Sequence, residues 1–479
     1  MENMFSLIFA LSCLRLGWCL YEEEVQINRL KSDLVNSALI FKFNEDISKD
    51  SALYLNPLYQ LLSDNYVSRL ELSVSQGFWR SDLFGQAIHP NQVSGVQIVA
   101  SFEDVEESDS YWRRLVSQLN GMLCTAVLSV GETLYAKPIL PSVYYGNNTK
   151  LYYGAFTGDR ICTENIDSFK KLLPCQNTGF TRLLGSPKYL YETKFTSASI
   201  IVNRQDKQWS GDVRFSFLKS IASKNIKFSN IFGSTLTTTC YFSDTSRITI
   251  DGDSKLISNF DVNATNRDWK VELAGSKYSE EPSLRLYGFT RFKGLLTGRF
   301  VATLKSNDVH GVLYTHLIPW EISVWFSTIT VTCDGKDVES VIRPTPAFPR
   351  KSPTLIEIKF VISSGSICQV SYEFEKSFLY MNEYPPDANH GITVPGAIVT
   401  LLSSPETKYY SEPTVITLPS PDVTMPYNVV CFIGTMGALI FQIIFTFTTQ
   451  YQTIIKPGPS KPKKLVINIK EKISRLLKH

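Results

Sequence analysis

The residues best suited to chemistry are Asp387 and His390, three positions apart in YPPDANHG, and six cysteines spread from Cys124 to Cys368. A histidine beside a carboxylate can serve as a tuned general base, and a thiol beside such a base can serve as a nucleophile. The Pro-Pro-Asp and His-Gly steps are also turn chemistry, which reads the Asp-His pair as a loop. Cys162 as a nucleophile would need a histidine and an orienting partner, and no spacing in the chain supplies them. The chain contains no G-x-S-x-G elbow, H-E-x-x-H, P-loop or strand-anchored G-x-G-x-x-G. There is no C-x-x-C and the five histidines are scattered, so neither a metal site nor a cofactor is expected.

The elements that would hold these residues follow from how the charge is distributed. The chain has 479 residues and a net charge of +3, with 43% hydrophobic and 19% charged residues, a composition that excludes disorder. From Gln450 to His479 the charge is +7, and from 21 to 428 it is −4. A mildly acidic body without a basic patch argues against nucleic acid. Between the two lies Val429–Thr449, 21 residues with no charge, long enough to cross a hydrocarbon core of about 30 Å. Basic residues directly after a span predict a cytosolic C-terminus. The body is then lumenal or extracellular, and the apolar stretch Met4–Leu20 is read as its signal peptide. In the oxidising compartment six cysteines allow fifteen full connectivities, and sequence does not choose among them. Asn147 and Asn263 open N-x-[ST] sequons on the same side.

Periodicity predicts helices at Leu58–Asp64 and Tyr111–Leu123, and strands at Tyr66–Trp79 and Cys124–Val130. After about residue 195 strands dominate, among them Phe195–Arg204, Val213–Leu218, Ile322–Cys333, Leu355–Ile362 and Val370–Phe374. Arg343–Pro353 reads as a Pro-rich extended connection. The expected class is α+β giving way to mainly β: a mixed N-terminal region, an antiparallel β-sandwich, and one C-terminal transmembrane helix. The expected divisions are 1–20 signal, 21–205 N-terminal region, 206–428 sandwich-rich region, 429–449 span and 450–479 basic tail. Prolines at 419, 421 and 426 restrict the membrane-proximal connector. Pro426, Tyr427 and Asn428 are expected at the membrane face, with Tyr427 at an interfacial aromatic position.

Several blocks resemble one family across almost the whole chain. They are Ser75-Gln-Gly-Phe-Trp-Arg80, Cys162-Thr-Glu-Asn165 with Lys170-Lys-Leu-Leu-Pro-Cys175, and Ile318-Pro-Trp320. Tyr384–Gly391, Glu412-Pro-Thr, Leu418-Pro-Ser-Pro-Asp and Met425-Pro-Tyr-Asn-Val429 complete the set. The chain resembles the PIG-T family, lumenal-domain subunits of the GPI transamidase of the endoplasmic reticulum. The resemblance implies a non-catalytic subunit that stabilises and positions a cysteine-protease-like catalytic subunit. It implies as partners the other transamidase subunits, the endoplasmic reticulum membrane and the GPI lipid. It also implies an intermolecular disulfide to the catalytic subunit from Cys162. With Cys162 paired outside, the expected intrachain bonds are Cys175–Cys240 and Cys333–Cys368, leaving Cys124 as a buried thiol. The competing readings are a cell-surface adhesion or receptor ectodomain and a lumenal hydrolase using Asp387 and His390.

Overall fold

The computed structural model describes residues 19–30, 33–46, 55–84, 94–103, 105–125, 127–140, 150–158, 161–186, 192–205, 208–221, 225–251, 253–256, 270–272, 282–384, 390–404, 407–419 and 424–451. The first part of the body is built on one ten-stranded sheet. Its strands are β1 (Cys19–Arg29), β2 (Leu34–Asp46), β3 (Val67–Gln76), β4 (Gly95–Phe102), β5 (Tyr135–Ala136), β6 (Lys150–Phe156), β7 (Phe195–Gln205), β8 (Gln208–Ser220), β10 (Thr245–Ile250) and β11 (Asp253–Leu256). The order is β11-β10-β1-β2-β8-β7-β3-β4-β6-β5, antiparallel except where β1 runs parallel to β10. Position 205, where the sequence reading divided the body, lies in the β7–β8 hairpin, so both sides of it belong to this sheet.

Alternation sends Leu70, Leu72 and Val74 of β3 and Ile98, Ala100 and Phe102 of β4 to one face, where helices cover them. The helix Asn56–Asp64 adds Leu58, Tyr59 and Leu62 to that core. Ser108–Leu123 contributes Trp112, Leu115, Val116, Leu119 and Leu123, an apolar stripe at i, i+3, i+4, i+7 and i+11. Trp112 stacks on Tyr152 with ring centroids 5.2 Å apart.

Cys124–Val130 is not a strand. Cys124 sits at φ +52°, ending the first helix, and a second helix, Val127–Thr133, starts at once. Val127 and Val130, which read as strand alternation, are i and i+3 on its buried side. Gly131 faces Val116, and a Cβ there would lie 2.7 Å from its methyl, so glycine lets the two helices meet.

The second part is a sandwich of two five-stranded sheets. One has the order β13-β14-β20-β16-β17, comprising β13 (Leu284–Lys293), β14 (Thr297–Ser306), β16 (Ile322–Cys333), β17 (Lys336–Asp337) and β20 (Ile367–Lys376). The other is β18-β19-β15-β22-β23, comprising β15 (His310–Ile318), β18 (Val341–Thr345), β19 (Thr354–Ile362), β22 (Ile398–Leu401) and β23 (Lys408–Tyr410). Phe300, Val370, Tyr372 and Phe374 of the first face Tyr314, Ile356, Ile358 and Val399 of the second in one core. Two short ladders, β9 (Asn225–Lys227) with β12 (Lys270–Glu272) and β21 (Ile392–Val394) with β24 (Thr414–Ile416), complete the described strands. The Pro-rich stretch from Arg343 is not wholly a connection: Arg343–Thr345 belongs to β18, an edge strand, where a missing proline N–H costs no ladder bond.

The sandwich docks on the sheet face opposite the helices. Val99, Leu151, Tyr153 and Ala155 pack there against Leu317, Leu355, Ile398 and Tyr410. Strand β4 is therefore buried along its whole length. Two polar contacts fasten this layer. The buried Glu357 carboxylate accepts the N–H groups of Ile139 at 2.8 Å and Leu140 at 3.1 Å. Lys408 donates to Glu71 at 3.1 Å, and Glu71 also takes Arg69 at 2.7 Å. The two cations hold the Glu71 carboxyl down at about 2, although burial alone would raise it.

The separate C-terminal unit is the helix Thr424–Tyr451. Within it, Tyr427–Thr449 is 23 residues long and apolar enough to cross a membrane. Thr435, Thr448 and Thr449 donate their hydroxyls to carbonyls three or four residues back, which satisfies them inside an apolar helix. Pro426, Tyr427 and Asn428 lie in the early turns of this helix and are not part of an extended connector. Proline is tolerated so near a helix start because the N–H it lacks would have no intrahelical partner.

Candidate functional site

The cysteine residues separate by geometry into bridged and free. Cys175 and Cys240 form a disulfide with Cα atoms 5.8 Å apart. Cys333 and Cys368 form another, 4.0 Å apart, at directly opposed positions of β16 and β20. The free cysteines among the described residues are Cys124, Cys162 and Cys431. Cys431 lies in the apolar helix, so the body presents Cys124 and Cys162. Cys124 is exposed and not the buried thiol expected, because its left-handed backbone turns it off the end of the helix whose last buried residue is Leu123.

Cys162 is half-buried, with extended backbone, at the N-cap of the helix Thr163–Lys171. Ile166 and Phe169 anchor that helix in the core, one turn apart. Asn165 is almost fully buried and holds the cap. Its Oδ1 accepts the Cys162 N–H at 2.8 Å, and its Nδ2 donates to the carbonyl of Cys124 at 2.6 Å. One amide thus ties the end of the helix Ser108–Leu123 to the start of the helix Thr163–Lys171 and fixes the backbone at Cys124 and Cys162. Asn165→Ala is expected to cost about 2 kcal/mol in urea unfolding and to speed labelling of Cys162 by a thiol reagent. Unchanged stability and labelling would show that the amide does not hold this cap.

Behind the helix the Cys175–Cys240 bridge packs on a buried carboxylate. Glu23 accepts from Ser246 Oγ at 2.6 Å and from the Phe180 N–H at 3.2 Å. Burial pushes its carboxyl above the usual range, and these hydrogen bonds oppose the shift. Gly179, at φ +61°, passes so close that a Cβ would lie 2.7 Å from the Glu23 carboxylate and 2.8 Å from Cys240. The segment Gly179–Gly185 is thereby pinned to β1 and β10, next to the helix that carries Cys162.

His390 is exposed in a turn, and Asp387 lies outside the described residues, as do Asn147 and Asn263. Tyr427 and Asn428 are exposed on the C-terminal helix. Sequence reading overlooked His316, which lies in the sandwich core with Nε2 2.9 Å from the Pro395 carbonyl and Nδ1 bonded to the Tyr372 hydroxyl. Burial lowers it to about 4, which keeps it neutral, and its closed surroundings make it a packing residue. Asn165 was within a quoted block, but its role needed a contact 41 residues away.

Trp79 and Trp320 are packing residues. Trp79 sits between Phe84 and Phe195, with centroids 5.5 Å from each. Trp320 lies under the Arg350 guanidinium at 5.0 Å. A family described as "Gpi16 subunit, GPI transamidase component" matches residues 4–223 and 215–474 of the chain. The chain belongs to the Gpi16 family.

Among relatives of this Gpi16-family chain, the human GPI-anchor transamidase component PIGT is 25% identical, with 95% of each chain covered. The GPI transamidase component PIG-T homolog of Schizosaccharomyces pombe is 25% identical over 85% of this chain and 84% of its own. The GPI transamidase component GPI16 of Saccharomyces cerevisiae is 22% identical over 83% and 81%.

Proposed function

We propose that this Gpi16-family chain is the non-catalytic scaffold of a GPI transamidase. It tethers the cysteine-protease-like catalytic subunit through Cys162 and holds it where peptide and GPI lipid meet. The observation that carries this reading is Cys162 itself, an unbridged thiol on a rigid cap while Cys175, Cys240, Cys333 and Cys368 are used internally. A tether on a rigid element fixes orientation, and orientation supplies much of the rate when two bound substrates must meet at one thiol. In this reading the chain sits in the endoplasmic reticulum membrane with its body lumenal and its tail cytosolic. The apolar helix, exposed on all sides from Tyr427 to Thr449, and the basic residues that follow support that topology. Gly434 and Gly437 leave open surface on the helix where partner spans or the GPI lipid would pack.

Non-reducing gels of the assembled complex test the reading. Cys162→Ser is expected to abolish the mixed dimer, while Cys124→Ser retains it. Persistence of the dimer in Cys162→Ser, or its loss only in Cys124→Ser, would move the tether elsewhere.

A further inference from the structure

Among the described residues, the apolar layer of the sandwich covers the β4–β6 end of this sheet face. Beside the docked layer lies a cavity of about 660 Å³, within the roughly 300–1,000 Å³ typical of small-ligand sites. Its floor is formed by β2, β3, β4, β7 and β8, and its wall includes Lys408 and Tyr410 of β23. It is separate from Cys162, which is not among its lining residues.

The lining selects a ligand class. Its charges are of both signs: Arg69 and Lys408 pair with Glu71, Arg214 pairs with Asp212, and Glu22 stands opposite Lys42 in the β1–β2 register. No single-sign field remains to capture a free phosphate or nucleic acid. A sheet face, unlike an edge, has its backbone groups spent in ladders, so an extended peptide gains no strand pairing there. What the cavity does offer is side-chain amides and hydroxyls such as Asn203 and Ser199, next to the Tyr410 ring. Two acceptors on its wall have no hydrogen-bond partner among the described residues: Gln97 Oε1, on a side chain more than nine-tenths buried, and Asp212 Oδ1. Planar amides and carboxylates match pairs of vicinal hydroxyls, and an unsatisfied buried acceptor is completed by a donor such as a sugar hydroxyl.

We propose that this cavity is a glycan subsite, binding a short oligosaccharide through Gln97 and Asp212. Glycolipid headgroups and protein-linked glycans share this chemistry. The site does not depend on the Cys162 tether, since it is read on the chain alone.

Calorimetric titration of the full chain in detergent micelles tests it with three probes. These are a deacylated glycosylphosphatidylinositol headgroup, a released oligomannose N-glycan, and an unglycosylated decapeptide. Saturable 1:1 binding of a glycan is expected, weakened at least tenfold by Gln97→Ala and by Asp212→Ala. Binding of the headgroup alone identifies a glycolipid source, and binding of the N-glycan alone a glycoprotein source. Gln97→Ala deletes a group with an unpaired acceptor, so an unchanged melting temperature is expected to accompany the loss. No glycan binding, binding of the peptide only, or glycan binding indifferent to both variants would overturn the proposal.

Discussion

Replacing both Cys175 and Cys240 by serine is expected to lower the stability of the body by about 4 kcal/mol. The bridge spans a sequence separation of 65 residues, and cutting it returns that loop's closure entropy to the unfolded chain. Both cysteines are buried, with Cys240 beside Gly179 and its N–H on Glu23, so two serine hydroxyls would enter a closed region in place of the bridge. In a thermal melt the loss corresponds to a fall of roughly 10 °C. Because the helix Thr163–Lys171 ends just before Cys175, local opening should also raise the labelling rate of Cys162. A fall below about 1 kcal/mol would mean that the surrounding contacts, and not the bridge, hold this region closed.

Acid is expected to loosen the docking of the sandwich on the ten-stranded sheet. The Glu71 carboxyl is held at about 2 in the folded chain, below the value of 4.5 that it has when unperturbed. A depressed acid contributes stability that is present above its unfolded value and lost as pH falls toward the folded one. The window is therefore pH 4.5 to 2, and the contribution is about 3 kcal/mol at most. Glu23 and Glu357 act in the opposite direction. Burial raises both, so their ionisation costs stability as pH rises and they favour the fold in acid. Comparing wild type with Glu71→Gln isolates the one group. Unfolding free energy measured from pH 7 to 2.5 should differ most at neutral pH and converge in acid. Parallel curves would show that Lys408 and Arg69 do not stabilise the ionised carboxylate.

Much of the architecture was legible because its signals are local. An uncharged run at 429–449 followed by eight basic residues announces a span wherever the rest of the chain goes. The stripe from Trp112 to Leu123 needs only helical geometry to become a buried face. Where local signals conflict, tertiary contact decides. Val127 and Val130 fit strand alternation, but the turn at Cys124 and the close approach of Gly131 to Val116 make that segment a helix.

Strand alternation, an uncharged apolar run and charge asymmetry thus determined a mainly β body, one apolar helix and a basic tail, since each depends on neighbours along the chain. Tertiary structure decided that two bridges form and that Cys124 and Cys162 stay free, because Cys175 and Cys240, 65 positions apart, meet only in the fold beside Gly179 and Glu23. It also decided the status of Glu71 and Gln97. Both lie on the sheet face away from the helices, and only a second layer packing above that face makes one a fastener and the other part of a cavity lining. Burial is a property of what lies across the gap, and the residues across this gap are more than 300 positions away.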